Sequence, residues 1–427
     1  ERGRLGGTCV NVGCVPKKLF VYGADVRRQV NDAAKLGWNV PTATHHWPTL
    51  RDNVNAEVTR LNGAYARIVE SAGAEILRGH ARLDGPERVL FRDEAGHERA
   101  IRARHVLLAT GAHPHRPSFP GAELAWVSDD VFTLERLPRS VVIVGAGYIG
   151  LEFATIFAGL GVEVTLLARH DHVLPHFDRA VSEFVAKQLD ARGVKVVFEE
   201  DVVRIERVGD RLDSHSARGT VFSSEQVLLA VGRRPETREL GLETVGVAMR
   251  GAAVAVDAHY RTSVPNVHAV GDLIGHLQLT PVALAEGQAL ARTLFGGGEP
   301  QSIDYRAIPT AVFTTPTVAT VGLTEAQARG RGTPLAIFET EFRPMKATVT
   351  GSPMRAFMKL VVDRDTDELL GVHVVGDDAG EIVQGFAVVI AMHGKKRDLD
   401  RTIGIHPTAA EELVTMRTAT RIDPLAA

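Results

Sequence analysis

At 427 residues the chain is longer than one ordinary hydrophobic core supports, so two or three domains are expected. Hydrophobic residues make up 44% and charged ones 24%, as in ordinary globular proteins, and a formal net charge of −3 argues against a nucleic-acid or membrane-surface role. No apolar run approaches a membrane span, and only two cysteines exclude a disulfide scaffold and point to a reducing, cytoplasmic compartment.

Both cysteines lie almost at the start, in Gly6-Gly7-Thr8-Cys9-Val10-Asn11-Val12-Gly13-Cys14-Val15-Pro16-Lys17-Lys18. A zinc site would need further ligands near a C-x-x-C hairpin, and no metal set is expected. Two isolated thiols held close, flanked by glycines and followed by lysines, suit reversible dithiol–disulfide chemistry. Glycine lets backbone approach a cofactor, and nearby positive charge lowers a thiol pKa. The spacing alone also allows two unrelated free cysteines in a loop.

Residues 17 to about 35 and 49 to 73 read as helices, the second carrying Val54, Val58, Leu61, Tyr65, Ile68 and Val69 at helical spacing. A tyrosine on such a stripe reads by default as core. Short strands follow, up to Val106-Leu107-Leu108-Ala109, which runs into Thr110-Gly111. Residues 112–140, rich in proline and polar side chains, read as a linker.

Next comes the buried-strand run Val141-Val142-Ile143-Val144, then Gly145-Ala146-Gly147-Tyr148-Ile149-Gly150, a helical pattern from Ile149 to Leu160, and a strand over Glu163–Leu167. Between a strand and a helix, G-x-G-x-x-G has a physical job. The first glycine makes the turn, the second admits a pyrophosphate, and the third lets helix pack on strand. The helix N-terminus then faces the phosphates. The second strand ends Leu167-Ala168-Arg169-His170, with no acid before Asp171. Arg169 therefore suits a ribose 2′-phosphate, which a carboxylate would repel.

Val106-Leu107-Leu108-Ala109-Thr110-Gly111 and Val227-Leu228-Leu229-Ala230-Val231-Gly232 are near copies, each an apolar run ending in glycine. They suggest two nucleotide domains. Farther on, Ala269-Val270-Gly271-Asp272 closes a strand, and Thr280-Pro281 opens a helix over Val282 to Leu294 whose N-terminal dipole favours negative charge. From Ile308 onward strands and helices alternate without a nucleotide fingerprint. There, His406-Pro407-Thr408-Ala409-Ala410-Glu411-Glu412 places a histidine before an expected helix start, with Pro407 at the first helical position. Glu411 is the carboxylate expected to hold the tautomer of His406.

The string G-G-T-C-V-N-V-G-C-V-P-K-K resembles the redox segment of the flavin-dependent disulfide reductases, and among them the glutathione reductase family, in which Lys-Lys follows the proline. Gly232-Arg233-Arg234-Pro235 and the histidine string match the same family. The resemblance implies an α/β fold of two doubly wound dinucleotide-binding domains, for FAD and NADPH, plus a C-terminal α+β dimerisation domain. Its divisions would be 1–115 (FAD), 116–234 (NADPH), 235–304 (central part of the FAD domain) and 305–427 (interface). Glu1 stands where the family has its ribose-binding glutamate. The chain is therefore expected to lack its first flavin-binding βαβ unit, and these residues alone to hold FAD weakly or not at all.

By the same resemblance, Cys9 exchanges with the substrate disulfide, Cys14 faces the flavin as a charge-transfer thiolate, and Lys17 pairs with Glu152 beside the flavin. His406 of the second subunit, with Glu411, protonates the departing thiol, and Tyr65 contacts glutathione. FAD falls to Glu1, Thr8, Cys9, Lys17, Ala81, Thr110, Gly111, Gly232, Arg233, Asp272 and Thr280. NADPH falls to Gly145, Ala146, Gly147, Tyr148, Ile149, Gly150, Glu152 and Arg169, with Tyr148 covering the flavin. The implied activity is NADPH-dependent reduction of glutathione disulfide by a homodimer. Trypanothione reductase or another disulfide reductase of the family, and a flavin-free, truncated, non-catalytic dimerising or binding protein, are the competing readings. Two departures stand out: Gln288 where many relatives have a substrate-side arginine, and Pro175 where a second coenzyme arginine is usual, leaving His176 as a partial substitute.

Overall fold

The computed structural model describes residues 1–40 and 43–424. Cys14–Lys35 forms one helix and Trp47–Ser71 a second, their cores joined by the Phe20 and Trp47 rings, 5.0 Å apart. The first helix begins three residues earlier than the periodicity predicts, because Cys14 and Val15 carry no helix pattern of their own. It packs on the helix Tyr148–Gly159 so closely that a Cβ at Gly159 would lie 2.8 Å from Ala24 Cβ. That approach sets the cysteine segment against the fingerprint helix.

The strand Ser140–Val144, buried along its whole length, is central to a five-stranded parallel sheet with Trp126–Val127, Gln226–Leu229, Glu163–Ala168 and Val194–Phe198. Continuous apolar runs suit a sheet covered on both faces. The stretch 112–140 is thus more than a linker. Trp126–Val127 adds an edge strand beside Leu228–Leu229, Val131 and Phe132 are core residues, and the Arg116 guanidinium donates to the carbonyls of Ala122 and Ala125. Its polar composition hid these local hydrogen bonds.

The two near-repeats both form parallel strands, in separate sheets. Val106–Leu108 pairs in parallel with Val267–Ala269, and Gln226–Leu229 lies in the five-stranded sheet. Each runs through a glycine into a short strand, and the two short strands pair with each other: Ala112–Pro114 against Arg233–Pro235. The chain leaves one nucleotide unit and returns to it through this antiparallel ladder. An antiparallel meander of Gly79–Gly85, Arg88–Asp93 and Glu98–Arg102 lies on the first unit.

The C-terminal part is a six-stranded antiparallel sheet. One face, with Met358, Leu360 and Val362, is covered by the helix Ala379–Ala391. The other turns Phe357 onto Phe184 of the helix Arg179–Asp190, ring centroids 5.4 Å apart. Among the described residues no helix is long and apolar enough to cross a membrane.

Candidate active site

Cys9 sits in the short helix Gly7–Asn11, and Cys14 is the first residue of the 22-residue helix behind it. Asn11 Nδ2 donates to the carbonyls of Leu5 and Gly7, and Asn62 Nδ2 donates to Asn11 Oδ1 at 2.9 Å and to Leu5 O at 2.7 Å. These amides fix the loop from the neighbouring helix. Asn11 lies within the cysteine string, whereas Asn62 carried no motif signal.

The two thiols lie close enough to act on each other's charge and titrate as a pair. The neighbouring Cys14 thiol brings Cys9 down to about 6, and the Thr280 hydroxyl and Lys17 act in the same direction against burial. The Cys9 thiol and burial push Cys14 up. Its place at a helix N-terminus, with Thr280 Oγ1 3.9 Å from Sγ, favours negative charge there. The pair therefore releases its first proton well below the ordinary thiol range and shares the resulting charge.

Lys17 Nζ meets Glu152 Oε1 at 2.5 Å, with both side chains largely buried. The same oxygen accepts the Phe313 backbone N–H at 2.8 Å, and Lys17 and Lys18 both lie over the Phe313 ring. Phe313 was not legible as a site residue because it works through its backbone. The Tyr148 hydroxyl is close enough to Arg233, Glu152, Asp272 and Cys14 for each to act on its charge.

The fingerprint turn has the geometry its glycines predict. Gly145 adopts φ +109°, and a Cβ there would lie 2.4 Å from Ala230 O. A Cβ on Gly150 would lie 1.9 Å from Gly145 O, so the third glycine permits the helix to seat. Gly147 has nothing within 4 Å of a Cβ position, which leaves room for a pyrophosphate over the N-terminus that Ala146, Tyr148 and Ile149 frame. Arg169 is exposed at the end of Glu163–Ala168 and makes no ion pair among the described residues. Asp171, two residues on, is held by Arg179 Nη1 at 3.1 Å and His172 Nδ1 at 2.6 Å. His176 and Pro175 are exposed nearby in the chain.

On the other side, Arg233 Nη2 donates to Thr8 Oγ1 at 3.3 Å and Ala112 O at 2.5 Å. Thr110 Oγ1 donates to Glu236 O, and Gly111 and Gly232 take positive φ at the two unit exits. Glu1 O accepts from Gly79 N at 3.1 Å, close in sequence to the exposed Ala81 on the same strand, while the Glu1 carboxylate accepts Gly3 N–H. Asp272 is half-buried and its carboxylate makes no hydrogen bond among the described residues. Burial raises its pKa against the pull of Arg233. A half-buried carboxylate free to accept, beside a helix N-terminus at Thr280, fits the ribityl hydroxyls and pyrimidine of FAD.

His406 Nδ1 lies 3.0 and 3.2 Å from the two Glu411 oxygens, and the ring is four-fifths exposed. The expected helix start is displaced. Thr408 is the cap, and a 3₁₀ turn opens at Ala409 rather than at Pro407. The His406–Pro407 bond is cis. Glu411 also accepts the Thr408 N–H at 3.3 Å, so one carboxylate serves cap and histidine. Among the described residues no hydrogen bond joins His406 to either cysteine. Tyr65 is 40% exposed, so the default core reading of its stripe does not hold there. Gln288 is also exposed.

Residues 3–287 match the pyridine nucleotide-disulphide oxidoreductase family, and residues 308–417 match the dimerisation domain of that family. The chain belongs to the pyridine nucleotide-disulphide oxidoreductases. It is 44% identical over 418 residues to the glutathione reductase of Burkholderia cepacia, covering 98% of this chain and 92% of that protein. The chloroplastic/mitochondrial glutathione reductase of Pisum sativum is 44% identical over 422 residues, 98% of this chain and 75% of that one. A trypanothione reductase of Trypanosoma congolense is 37% identical over 432 residues, 97% and 87% of the two chains. In this oxidoreductase the cysteines, Lys17, Glu152, Asp272 and Thr280 fall inside the first match, and His406 and Glu411 inside the second.

Proposed function

We propose that this oxidoreductase is a homodimer that reduces glutathione disulfide with NADPH through FAD and the Cys9–Cys14 pair. The observation that carries the reading is the coupled cysteine pair on a helix N-terminus, with the buried Lys17–Glu152 ion pair one turn along the same helix. The glutathione reductases are more similar to this chain than the trypanothione reductase, which supports glutathione as substrate.

Bound FAD supplies two-electron transfer between NADPH and the cysteine pair. Gly147 and the N-terminus of Tyr148–Gly159 would hold the coenzyme pyrophosphate, and Arg169 its 2′-phosphate. Arg233, Thr8, Asp272 and Thr280 would hold the flavin nucleotide. With the pair reduced, the Cys9 thiolate attacks one sulfur of glutathione disulfide. A mixed disulfide forms, and one glutathione thiolate leaves. Glu411 holds the Nδ1–H of His406, leaving Nε2 to take up the proton released by the reduced cysteine pair and pass it to that thiolate. The solvent exposure of His406 supports its acting on the cysteines of the second copy. The Cys14 thiolate then attacks Cys9, releasing the second glutathione and closing the Cys9–Cys14 disulfide.

The divisions 1–115, 116–234, 235–304 and 305–427 are supported by the paired exits at Ala112–Pro114 and Arg233–Pro235 and by the start of the C-terminal sheet. Cysteine usage supports a cytoplasmic site, which cell fractionation checks. The activity is tested by NADPH oxidation with glutathione disulfide and with trypanothione disulfide as alternative acceptors. A clear preference for the first supports the reading; turnover of the second alone contradicts it.

A further inference from the structure

In the second turn of the helix Thr280–Phe295, Glu286 is fully removed from solvent. No lysine or arginine pairs with it among the described residues, and the nearest ring nitrogen, His276 Nδ1, is 4.0 Å away. Burying a carboxylate without a cation is costly unless hydrogen bonds replace its water, and an apolar residue of similar size would avoid the cost. The compensation here is specific. Oε2 accepts the Gly271 N–H at 2.6 Å, and Oε1 accepts the Tyr305 hydroxyl at 2.5 Å.

The two donors come from separate parts of the chain. Gly271, at φ +73°, is the residue before Asp272. Tyr305 begins the 3₁₀ turn Tyr305–Ala307 that leads into the C-terminal sheet, and its hydroxyl also lies 3.5 Å from that of the buried Tyr260. Tyr260 in turn accepts the Ile303 N–H at 3.3 Å. Asp272 itself has no such support; its orientation depends on the turn that carries it.

We propose that Glu286 is a positioning residue of the flavin site. It fixes the Gly271–Asp272 turn on the helix so that the Asp272 carboxylate is pre-set for the ribityl hydroxyls, and Tyr305 fixes Glu286 in turn. The inference rests on the flavoenzyme reading above. It makes the affinity for FAD depend on a side chain that touches neither flavin nor substrate.

The test compares wild type, Glu286→Gln, Glu286→Met and Tyr305→Phe in the full-length enzyme. FAD affinity is read on the flavin-stripped protein, and amide exchange over residues 270–274 is read without flavin. Binding of 2′,5′-ADP serves as a fold control. Glutamine keeps an acceptor for Gly271 and can reverse the bond to the Tyr305 hydroxyl, so its FAD affinity should stay within about threefold of wild type. Methionine fills the space without an acceptor. FAD should then bind about tenfold or more weakly and the 270–274 amides exchange faster, with 2′,5′-ADP binding unchanged. Tyr305→Phe should fall between them. Unchanged FAD affinity and exchange in Glu286→Met would overturn the proposal, as would a glutamine variant as impaired as the methionine one. Wild-type enzyme that binds no FAD would overturn the flavoenzyme reading together with it, whereas differences confined to the variants bear on Glu286 alone.

Discussion

Glu152 Oε1 accepts Lys17 Nζ at 2.5 Å, and the Phe313 N–H reaches the same oxygen from the C-terminal part. One buried carboxylate thus ties the cysteine helix, the fingerprint helix and the C-terminal segment at a single point. Removing one partner of such a pair leaves the other charge buried and costs about 3–5 kcal/mol. Lys17→Met should lower the urea midpoint accordingly, and adding Glu152→Gln should recover part of the loss. A Lys17→Met midpoint equal to wild type would contradict this account.

The coupled thiols predict a pH profile. With Cys9 lowered to about 6, alkylation of the reduced enzyme by iodoacetamide should rise as pH increases through about 6 and then level off. Because the Cys14 thiol is the largest cause, Cys14→Ala should move that midpoint upward, toward an ordinary thiol at about 8.5. A wild-type midpoint already in that ordinary range would count against the coupling.

A second buried cluster joins the coenzyme-side helix to the C-terminal sheet. Lys359 Nζ lies 2.9 Å from Asp178, 2.7 Å from Glu325 and 3.1 Å from Glu339. Burial pushes Asp178 up, but His373, Lys359 and the Glu325 N–H outweigh it and hold its carboxyl below the usual range. Glu325 is lowered in the same way, burial being overcome by Lys359, Arg329 and Arg421. Folded-state values below the unfolded ones mean stability that is fully present above about pH 4.5 and lost as pH falls through the folded values. Lys359→Met should therefore be most destabilising near neutrality, and its Tm deficit should shrink only as pH falls below about 4.5. A deficit that stays constant as pH falls through that value would refute the assignment.

How much of this was legible in the sequence depended on the kind of signal. The cysteine pair, the fingerprint and the histidine string carry chemistry in consecutive residues, and the structure gives each a local geometry suited to it. The Trp126–Val127 strand escaped because two residues give no periodicity and its pairing partner lies about a hundred positions away. The 3₁₀ start at Ala409 escaped because Thr408, with Glu411 three residues on, takes the cap in place of His406. Phe313, Asn62 and Glu286 act through backbone groups or long-range hydrogen bonds, which one-dimensional spacing does not encode.

The proposed coenzyme choice rests on Arg169 and its neighbour Asp171. A bidentate arginine–phosphate contact is worth ~1.5–3 kcal/mol, so Arg169→Ala should lower kcat/KM for NADPH about ten- to a hundredfold and leave NADH nearly unaffected. Arg179 holds the Asp171 carboxylate and keeps it below the usual range, with His172 the larger cause. Arg179→Ala should free that charge and further reduce the NADPH-to-NADH ratio without a fall in kcat. Equal use of both coenzymes by wild type would contradict this reading.

The central claim is that electrons from NADPH reach glutathione disulfide through Cys9. It is tested by Cys9→Ser in the full-length enzyme, assayed in parallel for NADPH oxidation with glutathione disulfide and with a small quinone that accepts electrons without the cysteines. The account predicts that glutathione-dependent turnover falls to the blank rate while quinone-dependent NADPH oxidation persists. Glutathione-disulfide turnover undiminished in Cys9→Ser would contradict it.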